Sequence, residues 1–194
     1  MRISLNIASM VSRPLQLELL AAAFLLTLAL VWEGWRHVGL WSALHWSFWC
    51  LPWGVLAVLP PALMILLLES RWCQRLGWLR EFRQQVTTLL AGLLGDLRWP
   101  EMVALSCLAG LSEEVFFRGV LQAEIGLALA SLVFGLLHAI SLPYLVWATL
   151  MGGYLGWLLQ LTQTLWVPIM THTLIDIVGL WYIRLVAASR RTVC

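Results

Sequence analysis

Residues 99–122 read WPEMVALSCLAGLSEEVFFRGVLQ, and this stretch decides the fold. It is long and apolar enough for one membrane-spanning helix, which needs about 20 mostly apolar residues. Besides Glu101 near its start, it carries three charged side chains further along, Glu113, Glu114 and Arg118. Each charge at the bilayer centre costs roughly 2.5–3.5 kcal/mol on insertion scales. Groups this costly indicate mutual pairing and a function inside the membrane.

The composition of the whole chain supports a membrane location. Of its 194 residues, 61% are hydrophobic and only 11% are charged, whereas a soluble domain carries about 25% charged residues. All 12 basic residues are arginines, and the net charge of +2 is too small to indicate a nucleic-acid partner. The chain also lacks the heptads of a coiled coil and the polarity of a disordered protein. We therefore predict a polytopic membrane protein.

The hydropathy pattern predicts an all-α fold, a transmembrane helical bundle of about six spans plus an amphipathic interfacial segment. Pro52 and the pair Pro60-Pro61 should kink the second span, because proline removes a backbone donor. The predicted spans cover residues 15–32, 46–68, 99–122, 127–140, 144–161 and 165–185.

The segment 69–98 interrupts this pattern, because its arginines alternate with tryptophan and leucine. Such a sequence favours a helix lying among lipid headgroups, and an ordinary cytoplasmic loop is the alternative. The five arginines are Arg71, Arg75, Arg80, Arg83 and Arg98.

The arginines also predict the orientation of the chain. Six spans place both termini, the segment 69–98 and ten of the arginines on one side, against Arg36 on the other. Because basic residues are enriched on the cytoplasmic side, both termini should be cytoplasmic.

Polar residues in the later spans follow helical spacing. Glu114 and Arg118 are four residues apart, as are His172 and Asp176, so each pair shares one helix face. Glu113 lies about 100° around the helix from Glu114, so one glutamate pairs with Arg118 while the other stays free for chemistry. Three carboxylates and an arginine would cost about 10 kcal/mol if unpaired, as much as a domain's net stability. We therefore expect the third, fourth and sixth spans to pack around one water-accessible cavity containing Glu113, His138 and His172.

Three motifs in these spans resemble those of the CPBP family, which comprises CAAX proteases and bacteriocin-processing enzymes. Residues 113–118 (EEVFFR) resemble its EExxxR motif, residues 134–138 (FGLLH) its FxxxH motif, and residues 172–176 (HTLID) its HxxxN/D motif. All three occur in order across about residues 99–180, and the first 98 residues carry no such resemblance.

The resemblance implies an intramembrane glutamic endopeptidase, similar to type II CAAX prenyl proteases. Glu113 would act with His138 on a water molecule, and Glu114 and Arg118 would hold the site in shape. His172 and Asp176 would stabilise the oxyanion, although a carboxylate must be protonated to donate a hydrogen bond. Asp176 could instead orient the ring of His172.

These observations predict three regions and a location. The regions are an N-terminal two-span part with the basic interfacial segment (1–98), a catalytic helical core (99–185) and a short basic tail (186–194). The expected partners are the lipid bilayer and a membrane-associated peptide or protein substrate, in a prokaryotic plasma membrane.

Several alternatives stay open at this point. Glu113, His138 and His172 could supply ligands for zinc, but the chain has no HExxH motif, so we favour chemistry without a cofactor. A non-proteolytic partner-binding or immunity protein of the same fold is a second reading. A small proton-coupled transporter would also use intramembrane carboxylates and histidines.

Overall fold

The computed structural model describes residues 12–68, 70, 75–94 and 97–191, and the described part is helical without strands. Five of its helices are long and apolar enough to cross a membrane, so the chain is an integral membrane protein. The predicted all-α polytopic bundle is confirmed. Its helices are α1 (Arg13–Arg36), α2 (Leu40–Ala43), α3 (Cys50–Leu56), α4 (Leu59–Leu68), α5 (Gly77–Leu94), α6 (Trp99–Phe116), a π-helical turn (Phe117–Leu121), α7 (Gln122–Leu137), α8 (Leu142–Thr162) and α9 (Trp166–Arg191).

The structure has five candidate spans where the sequence predicts six. The difference arises from α6 and α7. Together with the π-helical turn they form one 39-residue helical run, Trp99–Leu137, which folds back on itself at Gly126. Gly126 has φ 80° and ψ 165°, outside helical geometry. The ring of Phe134 then lies 5.1 Å from the ring of Phe117 (between centroids). The run therefore supplies two antiparallel arms, matching the third and fourth predicted spans.

The second arm is short. Residues 127–137 span about 17 Å at the helical rise, about half the thickness of a bilayer's hydrocarbon core. The helix ends at His138, and α8 starts after Ser141, whose side chain accepts a hydrogen bond from the Tyr144 backbone N–H at 3.4 Å. His138 is thereby left partway through the bundle rather than at its end.

Helices α1 and α6 lie side by side and run parallel. At one end the backbone N–H of Ser12 donates to Glu101 at 3.0 Å, and at the other Arg36 pairs with Glu124 at 3.0 Å. Helix α9 runs antiparallel to α6, with Arg184 against the Leu97 carbonyl at 3.5 Å.

This packing gives the bundle two unlike ends. One end, which we call the basic end, carries Arg13, Arg98 and Arg184, and the opposite end carries Arg36. Arg2 and Arg71 lie outside the described residues. Which end faces the cytoplasm stays a prediction.

The kink predicted in the second span is present at Pro60-Pro61, whereas Pro52 lies in the first turn of an unbroken α3. The span divides into α3 and α4, which are separated at residues 57–58, just before Pro60-Pro61. The Tyr154 hydroxyl donates to the Ala57 carbonyl at 2.7 Å, which provides a partner for a backbone group at the break.

The basic segment contains helix α5, which is amphipathic. Phe82 and Thr87 are buried, whereas Arg80 and Glu81 are exposed. Arg83 donates to the hydroxyl of Tyr182 on α9 at 3.2 Å. The expected amphipathic helix therefore forms, and its position among lipid headgroups stays a prediction.

Gly126 should be required for the reversal. Its φ and ψ lie in a region that is essentially restricted to glycine, and non-glycine residues there cost about 1–3 kcal/mol. We expect Gly126→Ala to lower the thermal unfolding temperature in detergent. Gly34→Ala is the matched control, because Gly34 is helical and an added Cβ meets nothing within 4 Å. Equal unfolding temperatures for the two variants would contradict the requirement for glycine.

Candidate active site

A buried ion pair lies at the base of the site. Arg118 Nε is 3.1 Å from Glu114 Oε2, and both side chains have 0% exposure. The guanidinium carbon of Arg118 also lies 4.6 Å from the ring centroid of Phe134, close enough for a cation–π interaction. Arg118 sits in the π-helical turn Phe117–Leu121, a local distortion that is frequent at functional sites.

Glu114 also holds His172. Its second oxygen, Oε1, is 2.8 Å from His172 Nδ1. A carboxylate paired with arginine only accepts hydrogen bonds, so Nδ1 carries the proton. This contact between Glu114 and His172 Nδ1 directs His172 Nε2 away from Glu114 and links α6 to α9.

Glu113 faces a different direction, toward two imidazole rings. Its Oε2 is 3.5 Å from His138 Nε2 and 4.0 Å from His172 Nε2. The Glu113 side chain has 14% exposure, so it is largely desolvated. The two adjacent glutamates therefore occupy different environments, as their spacing on one helix predicts.

Phe134, one turn earlier in α7, orients the ring of His138. Its Nδ1 is 2.8 Å from the carbonyl oxygen of Phe134, and its ring stacks on the Phe134 ring with centroids 4.3 Å apart. A carbonyl accepts only, so Nδ1 carries a proton and Nε2 is the nitrogen that faces Glu113.

Asp176 completes the group of sequence-identified residues. Its Oδ2 lies 3.6 Å from His172 Nε2, and its side chain is 32% exposed. Since Glu114 holds Nδ1, Asp176 faces the nitrogen that is directed into the cavity. The structure thus brings all six residues together: Glu113, His138, His172 and Asp176 line the cavity, and Glu114 and Arg118 lie beneath it.

The cavity is about 390 Å³ in volume and mostly apolar. From Glu113 it extends along α9 to Tyr182, where Arg83 of α5 forms part of its wall. Tyr182 lies six residues beyond Asp176 in the direction of Arg184, so the cavity runs toward the basic end. Its apolar lining includes Ile65, Phe82, Leu105, Trp147, Met151 and Leu180.

The polar residues of the cavity wall that the sequence analysis missed include Glu18 of α1 and Tyr144 of α8. Glu18 could have been identified from the sequence, because it is a carboxylate inside the first apolar span. Such residues face a bundle interior by default. Tyr144 could not have been identified in this way, since a tyrosine near the start of a span is common at membrane interfaces. The first 98 residues therefore contribute to the site.

The carboxylates and imidazoles of the site are candidate metal ligands. In the part of the chain that the structure describes, no group of three or more His, Cys, Asp or Glu residues is arranged to hold a metal ion. Glu113, His138 and His172 are close together but do not form such a group, so the zinc alternative is left to a chelation experiment.

The fold and site define a helical membrane protein with a carboxylate–histidine cluster inside its bundle. Residues 95–178, less than half of the chain, match the family described as type II CAAX prenyl endopeptidase Rce1-like. The family resemblance drawn from the three motifs is thus confirmed for that segment.

A curated relative matches a comparable length of the chain. The Bacillus subtilis protein YpbD, described as uncharacterized, is 39% identical over 88 residues, which are 44% of this chain. The chain therefore spans about half the length of this relative, since the matched part is 47% of it. No solved structure matches the chain.

The buried pair should be essential for folding. Arg118→Ala leaves Glu114 without its cation, and breaking a buried pair costs about 3–5 kcal/mol. Arg118→Lys should rescue poorly, because a lysine ammonium lacks the planar guanidinium. Thermal unfolding in detergent measures both variants.

Arg36→Ala is the matched control for Arg118→Ala. It breaks an arginine–glutamate pair of nearly the same length, 3.0 Å, at an exposed position. Exposed pairs contribute little to stability, so this variant should unfold close to the parent temperature. If Arg118→Ala unfolded there too, Arg118 would not hold the bundle together.

Proposed function

We propose that this protein is an intramembrane peptidase of the glutamic type, which hydrolyses a peptide bond of a membrane-associated protein or peptide without a metal. One observation carries the proposal: Glu113 Oε2 lies 3.5 Å from His138 Nε2 at the wall of a cavity inside apolar helices. The match of residues 95–178 to a family of endopeptidases supports the same reaction class.

Glu113 and His138 would activate water together. A water molecule between them could donate one hydrogen bond to the carboxylate and one to the unprotonated Nε2, since both groups accept. Glu113 takes the proton as the water oxygen attacks the scissile carbonyl carbon. The same proton then passes to the departing amine nitrogen as the C–N bond breaks, so the step is balanced.

His172 and Asp176 would stabilise the negative charge that develops on the carbonyl oxygen. With both ring nitrogens protonated, His172 Nε2 donates into the cavity while Nδ1 remains on Glu114. Asp176 can donate only when protonated, 3.6 Å from the same nitrogen. Fixed donors at this position lower the barrier because they need no reorganisation during the reaction.

Substrate would enter from the basic end. The cavity extends from Glu113 toward Arg83 and Tyr182, and basic residues favour the cytoplasmic side of a membrane. We therefore propose cytoplasmic termini, a prokaryotic plasma membrane, and substrates that approach from the cytoplasmic leaflet.

Glu113→Gln provides the central test. The amide keeps the size of the side chain but cannot accept the proton, so hydrolysis should fall by the roughly 10²–10⁴-fold typical of general-base loss. Peptide binding should persist. The measurement uses protein in nanodiscs with a library of quenched fluorescent membrane peptides, and Glu81→Gln, an exposed change on α5, is the matched control.

The cleavage assay and two further measurements distinguish the peptidase from a metalloprotease, a partner-binding protein and a transporter. Activity should survive chelators; loss on chelation with recovery on adding zinc would identify a metalloprotease. A biological effect retained by Glu113→Gln would identify a partner-binding or immunity protein. Proton-driven uptake into vesicles without any cleavage would identify a transporter.

Glu114 and Asp176, which face different ring nitrogens of His172, should respond differently to conversion into amides. Glu114→Gln removes the charge that pairs with Arg118 and holds Nδ1, so both folding and turnover should suffer. Asp176→Asn keeps a donor near Nε2 and leaves the Glu114 contact intact, so it should retain most of the turnover. Turnover and unfolding temperature are measured for each; greater loss in Asp176→Asn would assign the orienting role to Asp176.

A further inference from the structure

Glu18 is a carboxylate that the proposed reaction does not use. It lies on α1 and lines the same cavity as Glu113, His138, His172 and Asp176. It is partly exposed, and it makes no hydrogen bond or ion pair with any residue that the structure describes. A carboxylate inside an apolar span is costly without a partner, so its presence at the cavity wall points to a partner that arrives with the substrate.

The charges around the cavity favour a cationic partner. Among the described residues, three carboxylates line it, Glu18, Glu113 and Asp176, and the one arginine of this described lining, Arg83, donates to Tyr182. Arg118 lies beneath the cavity and is paired with Glu114. The other titratable groups that the structure describes in the lining are His138, His172, Tyr144 and Tyr182. With His172 protonated, as in the proposed reaction, and the carboxylates ionised, the described lining carries three negative and two positive charges. Low-dielectric walls strengthen the attraction of this excess negative charge for a cation.

The register of α1 and α6 gives the offset of Glu18 from the proposed reaction centre along the helix axes. Ser12 contacts Glu101, Glu18 is six residues beyond Ser12, and Glu113 is twelve residues beyond Glu101. The offset of six residues corresponds to about 9 Å along parallel helices. An extended peptide advances about 3.3 Å per residue, so 9 Å corresponds to about three substrate residues.

We infer that Glu18 is a specificity-determining residue that binds a lysine or arginine side chain of the substrate, about three residues from the scissile bond. The inference rests on the proposed peptidase function for the reaction. The preference for a cation is a property of binding, and binding can be measured without turnover.

The first experiment measures cleavage of matched peptides by the protein in nanodiscs. Each peptide carries a single lysine, or norleucine as its uncharged counterpart, at one of five positions on either side of the scissile bond. We expect the ratio of kcat/KM for lysine over norleucine to peak near the third position. Glu18→Gln should reduce that ratio by about tenfold or more, the effect of losing a hydrogen bond to a charged group.

Glu81→Gln is the matched control, since it removes one negative charge from an exposed site on α5 outside the cavity lining. It should leave the lysine preference at the parent value. Glu18→Lys should reverse the preference, so that a peptide with glutamate at the same position is cleaved better than its lysine counterpart.

The second experiment measures binding of the same peptides to Glu113→Gln and to the double variant Glu113→Gln/Glu18→Gln. A lysine preference in the first that is lost in the second supports the inference, even if no peptide is cleaved by the parent; in that case the peptidase proposal alone fails. Absence of a lysine preference at every position overturns the inference. A preference that survives Glu18→Gln overturns it as well.

Discussion

The buried pair of Glu114 and Arg118 is the interaction on which the rest of the site depends. Neither side chain is exposed, and each contacts a second helix: Glu114 holds His172 of α9, and Arg118 lies over the ring of Phe134 on α7. Two charges in an apolar bundle are tolerated only when they pair. Their pairing therefore fixes where α7 and α9 sit against α6, and with them the two histidines.

The reversal at Gly126 determines how deep in the membrane His138 lies. A histidine at the end of a full-length span would lie at the membrane boundary, far from Glu113. Because the second arm is only about half the thickness of a bilayer, its last residues come to the level of Glu113. His138 is then held there by the carbonyl and ring of Phe134. A single backbone conformation thus determines which imidazole faces the carboxylate.

The adjacent glutamates show how one helix supplies two functions. Glu114 points into the protein, where it is paired and orients another residue. Glu113 points into the cavity, between the Nε2 atoms of two histidines. About 100° of helical rotation separates them, so a rigid structural group and a chemically free group are placed beside each other. The mostly apolar cavity strengthens the electrostatic interactions of the free one.

The amino-acid sequence by itself determined the membrane class, the helices and the faces that carry Glu113, Glu114, Arg118, His172 and Asp176. Composition and helical spacing are local properties, so they can be taken from the chain directly. The match to the endopeptidase family was likewise visible in three short motifs.

Only the tertiary structure decided which residues each helix face contacts. It made Glu114, rather than Asp176, the partner of His172 Nδ1, and it placed α1 against α6 so that Glu18 reaches the cavity. No spacing rule relates residue 18 to residue 113, because their separation in space depends on which helices pack together. That choice follows from close packing and charge pairing over the whole bundle, which no single segment of the sequence contains.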